Sequence, residues 1–359
     1  MKKNIARAGW GTGWHVFPIK SLIEYINNHE TYSKEVNHMY WFWKKGSLEE
    51  ETYKNIKPYI KNISFLRINS WKRRREKWFL ALCKNIKDLF LFSYWVFQSV
   101  FLLKKHNIDV VFCKWGYVAL PVVFAAKFLW KKIIVHESDV HPGLVNRIAS
   151  KYAKTSFTWF DKVFPNAITV GQILSEDLLT KNSITPKKET EIIVMGGSQG
   201  SKALYETLAK VLQNNKELEN INFNIVLGKL NQNLKSLFSG LKNVNCYNFL
   251  SQQEMGNFYS ISDIAITRAW TTSLAEQELF DLKLIMVPIP WTHDQKDNAK
   301  WYVKNHEGIL LEQDDSEFLE KLEKVLKSLK SYKKNPSWRD KKKNITETKD
   351  KIIQAILYS

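Results

Sequence analysis

Cysteine is scarce in this 359-residue sequence, and its scarcity excludes several classes of protein. Only Cys83, Cys113 and Cys246 occur, at wide spacings and without a CxxC pair. A disulfide framework and a zinc site are therefore not expected, and a reducing cytoplasm is the compartment that fits. Low-complexity tracts and repeats with a period of about 20 to 50 residues are also absent from the sequence, which argues against a solenoid.

Long hydrophobic runs are missing as well. The most apolar stretch, residues 89–103, is interrupted by Ser93, Gln98 and Ser99 and is shorter than the roughly 20 residues that a membrane-spanning helix requires. We interpret it as a buried helix, with a membrane-inserted helix as the alternative. The first residues, MKKNIAR, have no apolar core and lead directly into a glycine motif, so no signal peptide is predicted.

Positive charge is abundant. Lysine and arginine number 54 against 36 acidic residues, which gives a formal net charge of +18. Such a balance favours a polyanionic partner, either a nucleic acid or an anionic membrane surface. Hydrophobic residues at 44% and charged residues at 25% predict a packed globular protein rather than a disordered one.

Short apolar runs, each typical of a buried parallel strand, alternate with helical patterns along the chain. This order predicts βαβ units and a doubly wound α/β fold, with sites at the carboxyl ends of the strands. The length predicts two domains, 1–165 and 166–337, with a C-terminal helix at 338–359 that packs back on the first. The predicted strands are 108–113, 132–136, 167–170, 191–195, 223–227, 263–267 and 284–288.

Residues 196–201 (GGSQGS) follow a predicted strand and precede a predicted helix. Glycine allows the backbone to approach a phosphate, and the start of a helix offers unpaired N–H groups and a partial positive charge. We interpret the segment as a phosphate-binding loop; an ordinary turn between strand and helix is the alternative.

A second glycine-type segment, residues 9–18 (GWGTGWHVFP), lies near the amino terminus. His15 follows the first strand and is the best candidate for a general base, because imidazole titrates near neutral pH. A core or surface histidine without a catalytic role is the alternative.

These motifs resemble those of the MurG family of glycosyltransferases. The family's opening loop reads GGGTGGHVFP, its later motifs HEQNxxxGxxN, GGSQGA, RxGxxTxxE and HQxxNA. The sequence contains their counterparts in the same order at residues 9–18, 136–146, 196–201, 268–276 and 294–299. The resemblance implies a GT-B architecture, in which two Rossmann-like doubly wound domains face a cleft and the second holds the nucleotide-sugar donor.

The resemblance implies a role for several residues at a UDP-N-acetylglucosamine donor. It places Ser198, Gln199 and Gly200 at the diphosphate and Glu276 at the ribose. A carboxylate suits a ribose diol because it can accept two hydrogen bonds at once. The other donor contacts that it implies are Leu250 at uracil, Gln295 at the sugar, and Thr12, His15 and Asp139 from the first domain.

For the acceptor, the resemblance implies an undecaprenyl-diphosphate-linked N-acetylmuramyl-pentapeptide. His15 is then the base that activates the attacking hydroxyl, and the configuration inverts in a single displacement while UDP departs. Neither a metal nor another cofactor is expected. The residues implied at the acceptor diphosphate loop are Gly11, Thr12, Gly13 and Glu137.

The sequence departs from the family pattern at three places. Ser138 and Asp139 replace Gln and Asn of the HEQN motif, residues 171–175 lack the arginine of the family's GNPVR segment, and Asp294 replaces the His of HQxxNA. The alternatives are therefore another GT-B lipid glycosyltransferase, a UDP-sugar epimerase, or a catalytically inactive membrane-associated relative.

Glycine and tryptophan each number 14, so glycine is about 4% of the chain against an average of about 7%. In the resemblance, eight tryptophans fall on family glycines. Our hypothesis is that the gene reads UGA as glycine and that tryptophan was written instead; a genuine tryptophan-rich, inactive relative is the alternative. The eight are Trp10, Trp14, Trp43, Trp71, Trp95, Trp115, Trp130 and Trp270.

Residues 72–87 contain seven Lys or Arg side chains interleaved with apolar ones. This pattern suits an anionic membrane leaflet, and we predict peripheral binding to the cytoplasmic face of the inner membrane through residues 72–103. A solvated basic loop is the alternative. Nucleic acid is not expected as a partner, because no recognisable binding motif accompanies the charge.

Overall fold

The computed structural model describes residues 2–9, 13–43, 48–60, 62–68, 78–114, 116–180, 188–228, 230–335 and 340–358, and for 13–15, 48, 49, 51 and 78–89 the backbone alone. The chain divides into two compact units. Unit 1 comprises residues 1–173 and 345–359, and unit 2 comprises 174–344. The division falls after residue 173 rather than 165 because Val170 and Ile173 pack into the core of unit 1.

In the described part of unit 1, seven parallel strands form a sheet in the order β3-β2-β1-β4-β5-β6-β7. The strands are β1 Lys3–Ala8, β2 Val36–Trp43, β3 Ile63–Arg67, β4 Val110–Cys113, β5 Lys132–Glu137, β6 Thr155–Thr158 and β7 Ile168–Thr169. The helices between them are α1 Gly13–Asn28, α2 Glu30–Glu35, α3 Leu48–Ile56, α4 Trp78–Lys105, α5 Ala119–Phe128 and α6 Leu144–Ala149.

Among the described residues of unit 2, six parallel strands follow the order β10-β9-β8-β11-β12-β13. These are β8 Thr190–Met195, β9 Ile221–Val226, β10 Val244–Tyr247, β11 Ile264–Thr267, β12 Lys283–Met286 and β13 Gly308–Leu310. The helices are α7 Lys202–Asn214, α8 Gln252–Ile261, α9 Thr271–Leu279, α10 His293–Asn305 and α11 Phe318–Ser328.

Each sheet has the doubly wound order in which the chain leaves a central strand in one direction and later returns on its other side. The reversal lies between β1 and β4 in unit 1 and between β8 and β11 in unit 2. In unit 2 the ends of these strands, Met195 and Thr267, are paired in register. Ligands bind at such a reversal, beyond the carboxyl ends of the strands, so the loops that follow β8 and β11 are the first place to search for a site.

The last helix, α12 Lys341–Tyr358, belongs mainly to unit 1. Its apolar residues Ile352, Ile353 and Ile356 are fully buried in the core that α1 forms on one face of the sheet. Helices α4 and α5 cover the opposite face of the sheet. Successive strand residues point to opposite faces, so Ile5 packs on the side of α1 and Ala6 on the side of α4 and α5.

The apolar stretch 89–103 forms part of α4, but the prediction of a buried helix is wrong. One face packs against the core, with Ser99 and Leu103 fully buried. The other face carries an aromatic stripe of four residues, each between 62% and 73% exposed: Phe90, Tyr94, Phe97 and Phe101. Their spacing of four, three and four places them on one side of a helix. In the part of the chain that the structure describes, no helix is long and apolar enough to span a membrane.

The end of α5 is formed by an unusual residue. Trp130 has a φ of 53° and is 86% exposed, and the next amide, of Lys131, donates to the carbonyl of Ala126 at 2.8 Å. This pattern is a helix cap whose left-handed position favours glycine. The residues with positive φ after α4 and α9 are Asn107 and Asp281, types that tolerate this conformation better than a bulky side chain does. Position 130 therefore suits glycine, as the hypothesis of misread codons expects.

Candidate functional site

The loop at 196–201 joins β8 to α7 at the reversal of the unit 2 sheet. Gly197 and Gly200 have φ of +88° and +83°. A side chain at Gly200 would collide with the carbonyl oxygen of Leu227. The amide of Gly196 donates to the hydroxyl of Tyr205 at 2.9 Å, which in turn donates to the carbonyl of Val226 at 2.7 Å. A side chain at Gly196 would also collide with the backbone of Gly200 and Ser201. The loop therefore requires glycine at three positions and is tied to the neighbouring strand.

Arg268 and Asn231 fix the loop from two sides. The Arg268 guanidinium is buried and donates to the hydroxyl of Ser201, and also to the carbonyl of Val287 at 2.6 Å. The side-chain amide of Asn231 donates to the carbonyl of Gln199 at 2.7 Å. A loop held in this way needs little rearrangement to bind an anion, which lowers the entropic cost of binding. The sequence pattern indicated neither contact.

The tip of the loop remains accessible. Ser198 and Gln199 are exposed, and Ser201 begins α7, a helix of 13 residues. The amino end of such a helix carries a partial positive charge and unpaired amides. The predicted diphosphate residues Ser198, Gln199 and Gly200 thus lie together in a geometry that can bind phosphate.

Glu276 lies in α9, which follows β11. Its side chain is buried, and the hydroxyl of Tyr259 donates to its Oε2 at 3.2 Å. Burial raises the pKa of Glu276 to about 7, while hydrogen bonds from Tyr259 and Gln252 oppose the shift. A carboxylate with two side-chain donors retains lone pairs for further donors, so Glu276 can accept hydroxyl groups of a ligand.

Two further donor residues predicted from the resemblance lie in unit 2. Gln295 is fully buried in the first turn of α10, and its Oε1 accepts from the amide of Ile289 at 3.2 Å. Its Nε2 has no hydrogen-bond partner among the described residues. Leu250 is buried directly before Ser251, which begins α8. A buried amide donor without a partner suits a site that is completed by substrate.

The start of α9 lies beside the glycine loop, a proximity that the sequence pattern did not indicate. Thr271 and Thr272 form its first turn, directly after Trp270, whose indole lies beside Gly197 of the loop. A second helix amino terminus therefore lies next to the phosphate-type loop. The signal was present in the sequence as a strand that ends at Thr267 and a run of hydroxyl residues, but their proximity to Gly197 depends on the pairing of β8 with β11.

In unit 1, Glu137 ends β5 and is buried. Its carboxylate accepts from the amides of Ser138, Asp139 and Gly143 at 2.7, 3.0 and 3.2 Å, and from the side chain of Asn146 at 3.0 Å. Burial raises the pKa of Glu137, and these amide hydrogen bonds oppose the shift. The side chain organises the loop in which the predicted donor residue Asp139 lies.

A buried lysine, which the sequence pattern did not single out, lies beside this loop. Nζ of Lys114 is 2.7 Å from Nδ1 of His136 and donates to the hydroxyl of Ser138. Because a lysine ammonium only donates, Nδ1 of His136 accepts and the ring is neutral, with Nε2 donating to the carbonyl of Gly171 at 3.3 Å. Burial and Lys114 both lower the pKa of His136 well below its ordinary value. Ser138, a departure from the family pattern, is thus part of a local network.

Several predicted residues lie outside the described part of the chain. Gly11 and Thr12 belong to this group, and for Gly13 and His15 only the backbone, at the start of α1, is described. The role of His15 as a general base therefore stays a prediction. Within the described residues, no group of three His, Cys, Asp or Glu side chains is arranged to hold a metal ion.

Both units match models of one protein family. Residues 5–158 match the glycosyltransferase family 28 N-terminal domain, and residues 191–356 match the glycosyltransferase family 28 C-terminal domain. A relative from Staphylococcus saprophyticus is 31% identical over 326 residues, which cover 86% of either chain. It is named UDP-N-acetylglucosamine–N-acetylmuramyl-(pentapeptide) pyrophosphoryl-undecaprenol N-acetylglucosamine transferase.

Two solved structures resemble the chain in fold. The crystal structure of Acinetobacter baumannii MurG has a TM-score of 0.71 and 21% identity, and the match covers 98% of this chain and 95% of that one. The UDP-GlcNAc 2-epimerase from Neisseria meningitidis, bound to UDP-GlcNAc, has a TM-score of 0.62 and 13% identity, with both chains covered completely. The fold class predicted from the sequence, two doubly wound α/β domains of the GT-B type, is confirmed.

Proposed function

We propose, from the premise that the chain belongs to glycosyltransferase family 28, that it transfers N-acetylglucosamine from UDP-GlcNAc to an undecaprenyl-diphosphate-linked N-acetylmuramyl-pentapeptide. Its relatives from Staphylococcus saprophyticus and Borreliella burgdorferi are named for this reaction. The resemblance to the MurG family that the motifs indicated is therefore confirmed. The observation that carries the proposal is the glycine loop at 196–201, which Arg268 and Asn231 hold by hydrogen bonds. The hydroxyl of Tyr259 contacts both Met195, the residue before this loop, and the buried carboxylate of Glu276.

The donor diphosphate would bind at this loop. Its charge would face the amides at the tip, near Ser198 and Gln199, and the partial positive charge at the start of α7. During transfer the departing UDP gains negative charge, and fixed donors stabilise that charge without reorganisation. The loop is then a leaving-group site, and we propose that no metal is required.

The rest of the donor would extend along the carboxyl edge of the unit 2 sheet. Glu276 would accept the two ribose hydroxyls, which requires its ionised form. Gln295 would donate its buried Nε2 to the sugar, and the backbone at Leu250 would contact uracil. The buried, partly satisfied side chains of Glu276 and Gln295 support these roles.

The acceptor would bind at unit 1, with His15 as the general base. Inversion would follow from direct attack of the acceptor hydroxyl on the anomeric carbon as UDP leaves. Thr12 and the glycines beside it would contact the acceptor diphosphate, and Asp139 would approach the donor from the loop that Glu137 organises.

We also propose that the protein binds the cytoplasmic face of the inner membrane peripherally through residues 72–103. The aromatic stripe on α4 supports this: four exposed rings share one face, and Lys104 and Lys105 end the helix. Aromatic side chains suit the headgroup boundary, and lysines suit anionic lipids. The basic residues 72–77 lie outside the described part of the chain.

The activity is tested with the full chain and, in parallel, with a variant that carries glycine at the eight suspect tryptophans. UDP release is measured with UDP-GlcNAc and a polyprenyl-diphosphate-N-acetylmuramyl-pentapeptide, with diacylglycerol, or with no acceptor. Release with the first acceptor alone supports the proposal. Transfer to diacylglycerol would identify a different lipid glycosyltransferase, and isomerisation of UDP-GlcNAc without an acceptor would identify an epimerase. No reaction by either protein would identify an inactive relative.

Membrane binding is tested by co-sedimentation with vesicles of anionic and of zwitterionic lipid. Phe97→Ser with Phe101→Ser is expected to lower partitioning to anionic vesicles by about tenfold or more, because two exposed rings that would insert into the membrane are lost. Tyr59→Ser, which changes an exposed ring away from the stripe, is the matched control. If the unchanged chain, the double phenylalanine variant and Tyr59→Ser bind anionic vesicles equally, the aromatic stripe does not contact the membrane.

A further inference from the structure

Trp270 lies against the phosphate-type loop. If Gly197 carried a Cβ, that atom would be 3.2 Å from Nε1 and 3.5 Å from Cδ1 of the Trp270 indole. The edge of the indole therefore borders the face of the loop that the absence of a side chain leaves open. Trp270 is the residue before the first turn of α9, and its ring lies beside Gly197 of the loop that leads into α7.

An anion bound by backbone amides needs the same face of the loop. Phosphate oxygens lie about 2.7–3.2 Å from the nitrogen atoms that bind them, which leaves no room for an indole between the two groups. Glycine in such a loop serves close approach of the ligand to the backbone. An indole ring at that face fills the space that an anion needs, and because its N–H only donates it cannot serve as the acceptor that an anion would supply to the loop amides.

The backbone at position 270 does not itself require tryptophan or glycine. Its φ of −77° and ψ of 124° are open to any residue, and the Trp270 side chain makes no capping hydrogen bond to α9. Glycine is also tolerated before the first turn of a helix. A small residue at position 270 is therefore compatible with the backbone before α9, and it removes the indole from the space beside Gly197.

We propose that residue 270 determines whether a nucleoside diphosphate can reach the loop at 196–201: the indole of Trp270 obstructs the diphosphate position, and a small residue opens it. This inference rests on the proposed donor site. Residue 270 then controls which ligands reach the loop. The chain with Trp270 should therefore bind UDP weakly, although its loop and Glu276 are intact.

The test measures UDP binding by titration calorimetry for the full chain and for Trp270→Gly, Trp270→Ala and Trp270→Phe. Glycine and alanine are expected to tighten UDP binding by at least about tenfold, whereas phenylalanine gives a smaller gain. Trp130→Gly, the same change at an exposed position of unit 1, is the matched control and should leave the affinity unchanged. Thermal unfolding of each variant confirms that it is folded.

The outcomes separate this inference from the proposed function. Tight UDP binding by the unchanged chain, or no gain with glycine or alanine at position 270, overturns the obstruction even if transfer is observed. A gain in UDP affinity without any transfer to the lipid acceptor supports the obstruction and contradicts the proposed function. Failure of every variant to bind UDP contradicts both.

Discussion

Glu137 in unit 1 and Glu276 in unit 2 are both buried, but their carboxylates are used differently. Glu137 accepts four hydrogen bonds from its own loop and from Asn146. Glu276 receives the Tyr259 hydroxyl at 3.2 Å and the side chain of Gln252. A carboxylate offers about four acceptor sites, so the first is saturated by the protein and the second retains capacity for a ligand. Equal burial therefore does not indicate an equal role.

The largest effect is expected for Glu137→Ala. The change leaves three backbone amides and the Asn146 side chain without their acceptor, and it should lower the free energy of unfolding by about 3 kcal/mol. Denaturation in urea measures it. Glu137→Gln keeps one carbonyl acceptor and should lose less. If Glu137→Ala unfolds like the parent but loses transfer activity, Glu137 contacts substrate and the contrast between the two residues fails.

Glu276→Ala should act on binding instead of folding. Loss of two charge-assisted hydrogen bonds to a ribose is expected to weaken UDP binding by about 100-fold. The comparison is best made in a Trp270→Gly background, by calorimetry with UDP. Tyr259→Phe, which removes one donor to Glu276 but keeps the ring, is the matched control and should change the affinity much less. Unaltered UDP binding by Glu276→Ala would place the ribose elsewhere.

UDP affinity should also depend on pH through Glu276. Burial raises the pKa of this carboxyl to about 7, so at pH 6 it is mostly protonated and cannot accept both ribose hydroxyls. Binding is expected to be about tenfold weaker at pH 6 than at pH 8. Glu276→Gln has no such titration and corrects for the ionisation of UDP itself. A pH profile shared by both proteins would contradict the role of Glu276.

The same pKa has a consequence for stability with a definite sign. The native state keeps the Glu276 proton up to a pKa of about 7, whereas the unfolded chain loses it near the ordinary value of 4.5. The contribution of this group to the free energy of unfolding therefore falls as pH rises from about 4.5 to about 7 and is constant above. The free energy of unfolding of Glu276→Gln, measured by urea denaturation between about pH 4.5 and about pH 7, should fall less with rising pH than that of the parent.

A smaller effect on stability is expected at Trp130 in unit 1, whose side chain is exposed but whose backbone conformation is strained. Trp130 has positive φ, and Trp130→Gly should raise the free energy of unfolding by about 1 kcal/mol because strain is relieved. Trp130→Asn should recover part of the gain, since Asn107 adopts a similar conformation. A loss of stability with glycine would contradict the hypothesis of misread codons, as would UGG codons at Trp10, Trp14, Trp115 and Trp270.

The smallest effect concerns metal. Transfer by the Trp270→Gly variant is expected to be unchanged after treatment with EDTA, because the loop and helix amides would stabilise the departing diphosphate. Activity that is lost with EDTA and restored by Mg²⁺ would show that a cation shares this role. A glycosyltransferase known to require a divalent cation serves as the control for chelation.

Much of the fold followed from local pattern. All seven predicted strands correspond to strands of the structure, because buried parallel strands read as short apolar runs. The strands β2, β3, β6, β10 and β13 were not predicted. Aromatic, polar and basic residues are mixed in β2 and β3, and the pairing of β2 with β1 and of β3 with β2 decides their conformation. The helix α4 was predicted as buried because its composition is apolar, but composition does not show which face meets the core.

The sequence by itself determined the family, the alternation of seven strands with helices, and the loop at 196–201, because each depends on residues adjacent in the chain. Only the tertiary structure decided which side chains contact this loop. Arg268 reaches Ser201 and the Trp270 indole reaches Gly197 because β8 pairs with β11. Likewise, four hydrogen bonds to Glu137 and fewer to Glu276 could not be read from two glutamates in sequence, since a carboxylate's role depends on the donors that the fold brings to it.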